Sequence, residues 1–170
     1  MPLFETAKYS VIDKISRKIE LREYPTFYLA NTITTVDDRM SNGFNAVFDY
    51  ISGQNDTKTK ISMTTPVVTT VNDGKLTTGF VIPSKFSNKA PNPTNSNVRI
   101  NEITNGKFIV IKFSGSWTES NFDKFDSILA EHIKNSNFKI VSERYILRYQ
   151  PPFVPSVFRR NEIMYRVEGV

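Results

Sequence analysis

Cysteine is missing from this chain of 170 residues. Its absence excludes disulfides, zinc–thiolate sites, iron–sulfur clusters and cysteine nucleophiles. Histidine occurs once, at His132, so any Ser-His-Asp triad would have to use it, and no nucleophile elbow accompanies it. A lone histidine on the edge of an apolar helix stripe is ordinarily packed and hydrogen-bonded rather than bound to a metal. P-loop, GxGxxG and HExxH patterns are lacking too. No stretch approaches the roughly 20 apolar residues of a membrane-spanning helix. Residues 1–14 contain no apolar signal core, so the reading expects a cytoplasmic protein without a secretory leader. Charge is not concentrated either. The net charge is +5 from 22 Lys and Arg against 17 Asp and Glu, yet the densest basic groups are only Lys58/Lys60 and Arg159/Arg160. Nucleic-acid proteins gather charge on one stripe, so a nucleic-acid partner is not expected.

What is present is aromatic and regularly patterned. There are 13 Phe, 7 Tyr and 1 Trp, residues that suit packed sheets and line apolar pockets. Residues 18–24 alternate Ile19 and Leu21 with charges, the pattern of a half-buried strand. Phe27 to Thr35 predicts a second strand. Asp37 or Asp38 then caps a helix to about Ile51, with Met40, Phe44, Val47 and Ile51 on one face. Residues 61–71 predict a strand joined through Asn72-Asp73-Gly74 to Leu76–Ile82. After a Ser-, Asn- and Pro-rich connection the order recurs. Val98 and Ile100 begin a strand, and Asn105-Gly106 turns it into Lys107–Phe113. A helix over Glu119–Lys134 presents Phe122, Phe125, Leu129 and Ile133 on one face. Strands over 139–149 and Glu162–Val167 follow. The expected fold is one α+β domain over 1–170. It is a curved or barrel-like antiparallel sheet with two helices, built from two pseudo-repeated ββαββ units at about 18–83 and 97–168. The cleft between the repeats is the expected pocket.

Carboxylates such as Asp49, Asp123 and Asp126 form no acid/base dyad in this pattern, so no catalytic residue, metal site or enzymatic activity is assigned. Three segments are over-specified for plain packing. Met63-Thr64-Thr65-Pro66-Val67 sets a proline in an apolar strand, where it belongs at an edge or bulge. Phe80-Val81-Ile82-Pro83 is the second. The third, Tyr149 to Glu162, carries three prolines, two Phe and two Val and contains Arg159-Arg160. Apolar side chains on such a loop either cap the core or form a pocket wall, and Arg159 and Arg160 suit a ligand carboxylate.

In this order the segments resemble the SOUL haem-binding family. The resemblance runs from Lys8-Tyr9-Ser10-Val11 and Ile19-Glu20-Leu21-Arg22-Glu23-Tyr24 to Tyr50-Ile51-Ser52-Gly53-Gln54-Asn55 and Met63-Thr64-Thr65-Pro66-Val67. It continues through Phe80-Val81-Ile82-Pro83, Pro91-Asn92-Pro93 and Arg159-Arg160-Asn161-Glu162-Ile163, spanning about residues 8–168. It implies a distorted β-barrel flanked by two helices. It also implies non-covalent binding of haem or a related tetrapyrrole, between the first helix and the loop before the last strand. Carried onto this chain, the contacts are Met40, Phe44, Val47 and Phe48 from the helix. From the loop they are Phe153, Val154, Val157 and Phe158, with Arg159 beside them. Core packing competes for Met40, Phe44 and Val47, which share the stripe facing the sheet. Where one haem-binding branch of the family has basic residues on the first helix, this chain has Ser41 and Asp49. Where another has an axial histidine, it has none. Met40, Met63, Tyr149 or no protein ligand remain open for the iron. The alternatives are an effector-binding module for another hydrophobic molecule, with Asp49 marking a cationic one, and a protein–protein adaptor using the Pro-rich loop.

Overall fold

The structure is a computed structural model that describes residues 4–35 and 40–169, with side chains described for 4–34 and 45–169. In chain order the first elements are β1 (Glu5–Thr6), β2 (Ser10–Lys14), β3 (Ile19–Tyr24), β4 (Phe27–Thr35) and helix α1 (Met40–Ile51). Next come β5 (Thr64–Thr65), β6 (Val67–Asn72), β7 (Lys75–Val81), β8 (Val98–Ile103) and β9 (Gly106–Phe113). Helix α2 (Glu119–Lys134), β10 (Phe138–Ile140), β11 (Tyr145–Arg148) and β12 (Asn161–Gly169) complete the chain. The elements gather into two compact units. One comprises Met1–Ala7 and Thr26–Thr104, the other Lys8–Pro25 and Asn105–Val170.

The first unit is an antiparallel sheet in the order β6-β7-β4-β8, with the parallel pair β1-β5 beside it. Val47, Tyr50 and Ile51 of α1 pack with Ala30, Phe80, Ile82 and Val98, which gives the helix its apolar stripe. The predicted capping residues Asp37 and Asp38 lie outside the described residues. Gly79 is needed where β7 crosses β4, because a Cβ there would meet the Asn31 Cβ at 2.7 Å and the Ala30 carbonyl at 2.8 Å. The single strand expected over 61–71 is instead broken into β5 and β6 at a cis Thr65–Pro66 bond. Asn55 explains the Tyr50–Asn55 motif. Its Nδ2 donates to the Tyr50 carbonyl (3.0 Å) and the Thr59 carbonyl (2.8 Å), and its Oδ1 accepts from the Thr59 amide (3.0 Å). The chain leaving α1 is thereby tied back to the helix end, while the Tyr50 hydroxyl donates to the Pro91 carbonyl at 2.6 Å.

The second unit is an antiparallel sheet in the order β2-β3-β9-β12-β11, with β10 paired to the far end of β12. Thr118 caps α2 by accepting from the Asn121 amide. The predicted stripe Phe122, Phe125, Leu129 and Ile133 is buried against Ile19, Leu21, Ile109, Ile111 and Ile163. The strand expected over 139–149 is two pieces, β10 and β11.

The α+β class, the antiparallel strands and the two helices are as the sequence implies. In neither unit do the described strands close a ring. The compact units also do not follow the two halves of the chain. The strand opening the first half, β3, pairs with β9, and the strand opening the second, β8, pairs with β4. Leu129→Ala is expected to lower the unfolding free energy by about 2–5 kcal/mol, as for other fully buried leucines. Denaturant titration checks this through a lower midpoint at unchanged slope.

Candidate functional site

Between β11 and β12 the chain makes a loop whose backbone is fastened at many points. The Val154 amide donates to the Pro151 carbonyl (3.2 Å), and the Phe158 amide to the Pro155 carbonyl (2.9 Å). Ser156–Phe158 form one turn of 3-10 helix entered from Pro155. The Gly115 amide donates to the Ser156 carbonyl (3.0 Å), anchoring the loop to the end of β9. Arg159 supplies the main fastening. Its Nε donates to the Val154 carbonyl (2.9 Å), and a terminal nitrogen donates to the Pro152 carbonyl (2.8 Å). Its guanidinium lies 4.2 Å from the centre of the Trp117 ring. Trp117 is held in turn by its Nε1, which donates to the Asn161 Oδ1 at 2.9 Å. Arg148 stacks on the same indole at 5.2 Å, and burial pushes its pKa down to about 10. Fixed prolines and satisfied carbonyls leave this loop little freedom. It nevertheless presents Phe153, Phe158 and Val157 to solvent, at 86%, 74% and 69% exposure.

Under this loop runs a buried charge network. Arg22 of β3, with 0% exposure, donates to both oxygens of Glu162 of β12 (2.8 and 2.7 Å). It also donates to Glu20 (2.8 Å) and to the Tyr24 hydroxyl (2.9 Å), and its guanidinium lies 3.9 Å from the Tyr9 ring centre. Glu162 further accepts from the Tyr149 hydroxyl (3.0 Å) and from Arg160 (2.9 and 3.1 Å). Lys112 meets Glu20 at 2.8 Å. Burial works against the charge of Glu162, but hydrogen bonds and charge from Arg22 and Arg160 outweigh it and hold the carboxyl below the usual range. Glu20 is lowered in the same sense: its burial is outweighed by Lys112 and Arg22. Burial raises the hydroxyls of Tyr24 and Tyr149.

The residues expected to meet a ligand fall into different settings. Val47 is fully buried in the core of the first unit, while Phe48 is exposed on α1. Asp49 is exposed there too. The side chains of Met40 and Phe44 lie outside the described residues. Phe153, Val154, Val157, Phe158 and Arg159 share the loop of the second unit, with Val154 half-buried. Arg159, expected to hold a ligand carboxylate, spends its hydrogen bonds on the loop's own carbonyls. Tyr149, weighed as an iron ligand, is buried with its hydroxyl on Glu162. Sequence reasoning missed the Arg22–Glu162 network, since alternation in 18–24 implies that the charges face water. Ile19, Glu20, Leu21 and Arg22 are all buried. Tyr24 is the signal that was there to read: it shares strand parity with Glu20 and Arg22, and an aromatic on that side marks a covered face.

Solved structures with the same α+β arrangement define the class of fold. The C-terminal domain of EcmrR is 11% identical over 90% of this chain and 98% of its own, with a TM-score of 0.68. A protein described as a hydrolase from Listeria innocua is 12% identical over 90% and 93%, with a TM-score of 0.62. At these identities the likeness is one of fold. Sequence carries the assignment further. Residues 4–166 match the profile of the SOUL heme-binding protein family, and the chain belongs to that family. It is 28% identical to heme-binding protein 2 of Mus musculus, over 89% of this chain and 79% of that one. The Homo sapiens protein of the same name is 27% identical over 85% and 75%.

Two expectations follow from the buried network. Arg22→Met removes the bidentate partner of the buried Glu162 and leaves it only Arg160 and Tyr149, so it should cost up to about 3–5 kcal/mol. Adding Glu162→Gln should cost less than the sum of the single changes, which a double-mutant cycle in denaturant measures. The pH dependence has a definite sign. Glu20 and Glu162 are lower in the folded chain than in the unfolded one, so their stabilisation is present above the unfolded carboxylate value and lost as pH falls through their folded values. Tyr24 and Tyr149 are raised, so their contribution is present below about pH 10 and lost above it, as unfolded tyrosines ionise. Thermal unfolding across pH should therefore show a plateau near neutrality, with a fall below about pH 4 and another above about pH 10.

Proposed function

We propose that this protein binds haem or a related tetrapyrrole non-covalently and buffers or carries it in the cytoplasm, a binding role rather than a catalytic one. Membership of the SOUL family and similarity to heme-binding protein 2 support the ligand class. The observation that carries the reading in this chain is the fastened loop with Phe153, Val157 and Phe158 exposed. Exposed aromatic surface on a rigid loop suits a flat apolar macrocycle, since little ordering entropy is lost on binding. Val154 lies at the loop's half-buried base.

The residues fit the ring better than the metal. The loop contains neither histidine nor methionine. The Tyr149 hydroxyl is bonded to Glu162, and Arg159 and Arg160 are committed to loop carbonyls and to Glu162. The reading is therefore recognition of the macrocycle, without an axial ligand or a propionate clamp from this loop. A cation-binding effector module would need a bare carboxylate. Glu20 and Glu162 are already met by Arg22, while Asp49 is exposed on α1 of the first unit and Asp13 and Glu119 are exposed in the second.

Titration of the full chain with haemin and with metal-free protoporphyrin IX tests this. Both should saturate at one equivalent with affinities within about threefold of each other, a difference under 1 kcal/mol. Phe153→Ala/Phe158→Ala should weaken both at least about tenfold, or 1.4 kcal/mol. Failure of either ligand to saturate below tens of micromolar would overturn the proposal.

A further inference from the structure

The end of the second unit that carries the apolar loop also carries exposed cations. β9 lies between β3 and β12, so those two strands run about 10 Å apart. The Lys112 amide donates to the Lys18 carbonyl at 2.8 Å, and Ile19 pairs with Ile111. At the same end of β9, Phe113 pairs with Asn161 and Gly115 holds Ser156. The turn between β2 and β3 thus sits at the sheet end from which the loop springs. Lys14 at the end of β2 and Arg17 and Lys18 in the turn are exposed and form no ion pair among the described residues, Lys18 resting over the Phe125 ring at 5.0 Å. Asp13 and Glu119 are exposed carboxylates near this end, while Glu20 and Glu162 are buried and met by Arg22, Lys112 and Arg160. The wider charge distribution agrees. The second unit holds fifteen Lys and Arg against ten Asp and Glu, and the first holds seven against seven, so the whole surplus of +5 belongs to the unit with the loop.

We infer that this end of the second unit docks on an anionic lipid surface, with Phe153, Val157 and Phe158 entering the headgroup–acyl boundary while Lys14, Arg17 and Lys18 meet lipid phosphates. Neither half of the surface suffices alone. Apolar insertion of a few side chains gives weak, reversible binding, and a few cations give salt-sensitive adsorption, whereas stable peripheral binding combines two such signals. The side chains favour lipid over nucleic acid. Val157 offers no stacking face, and the phenylalanines stand on a loop whose carbonyls are bonded internally rather than along a basic groove. The inference is independent of tetrapyrrole binding, although both draw on the same loop.

Co-sedimentation of the full chain, free of tetrapyrrole, with vesicles of phosphatidylcholine containing about 30% phosphatidylserine tests it; pure phosphatidylcholine vesicles are the control. Wild type should bind the anionic vesicles at 50 mM salt, and raising salt to 300 mM should weaken binding severalfold. Each cation near such a surface is worth roughly a fivefold gain. Lys14→Glu/Arg17→Glu/Lys18→Glu should therefore lose at least about 100-fold, and Phe153→Ser/Phe158→Ser at least about tenfold. All five side chains are exposed, and thermal unfolding verifies that both variants fold. The charge variant should still bind protoporphyrin IX like wild type, so failure of docking and failure of tetrapyrrole binding are separately visible. No binding of wild type to the anionic vesicles overturns the inference. Binding that survives Phe153→Ser/Phe158→Ser also overturns it, as adsorption of a basic surface. Retention of a single-stranded oligonucleotide, lost in both variants while vesicles are ignored, overturns it in favour of a nucleic-acid platform.

Discussion

Arg22 is shut away from solvent, and its guanidinium reaches across β9 to grip both oxygens of Glu162. Taking these groups out of water costs several kcal/mol per ion, which their attraction offsets only with near-complete hydrogen bonding. The second unit meets that condition by enlisting Glu20, Tyr24, Tyr149 and Arg160 around the pair. The requirement constrains register. A slip of one residue in β3 or β12 would turn one member to the face packed by α2 and leave the other bare. The pair therefore acts as a specificity element between strands far apart in sequence, and the start of β12, from which the apolar loop departs, is placed by it.

The loop depends on the same strand end. Arg160 joins the network, and its neighbour Arg159 turns back to fasten the loop carbonyls and rest on Trp117. Two adjacent arginines thus divide the labour: one holds the base of the loop to the sheet, and the other holds the loop to itself. Apolar side chains on a floppy segment would fold inward. Here, backbone bonding through Pro151, Pro155 and Ser156 keeps Phe153 and Phe158 outward. An arginine's position in a ligand-like loop says little of its role until the backbone carbonyls around it are accounted for.

Much of the architecture was legible in the sequence. Val47 and Ile51 of the α1 stripe, the α2 stripe, the turn at Asn72-Asp73-Gly74 and the apolar character of the loop follow from periodicity and residue type. Three things were not. Strand exchange between the halves, with β3 on β9 and β8 on β4, has no local signature, because the same alternation suits either partner. The burial of Glu20 and Arg22 defeats the rule that alternating charges face water, since their satisfaction depends on Glu162, about 140 residues away. The commitment of Arg159 to its own loop was hidden because a motif records residue type and not the direction of a hydrogen bond. Of the expected ligand contacts, Phe48, Phe153 and Phe158 are exposed, whereas Val47 belongs to the core that the helix stripe also predicts.

Asn55, which ties the end of α1, also begins an Asn-Asp-Thr triplet, the form that glycan transfer recognises. The residue is 3% exposed and its amide nitrogen is engaged by two carbonyls. Once folded, the chain withholds that nitrogen from any oligosaccharide donor. Modification could reach it only before α1 and the segment through Thr59 have come together, so glycosylation there and correct closure of the helix end are mutually exclusive.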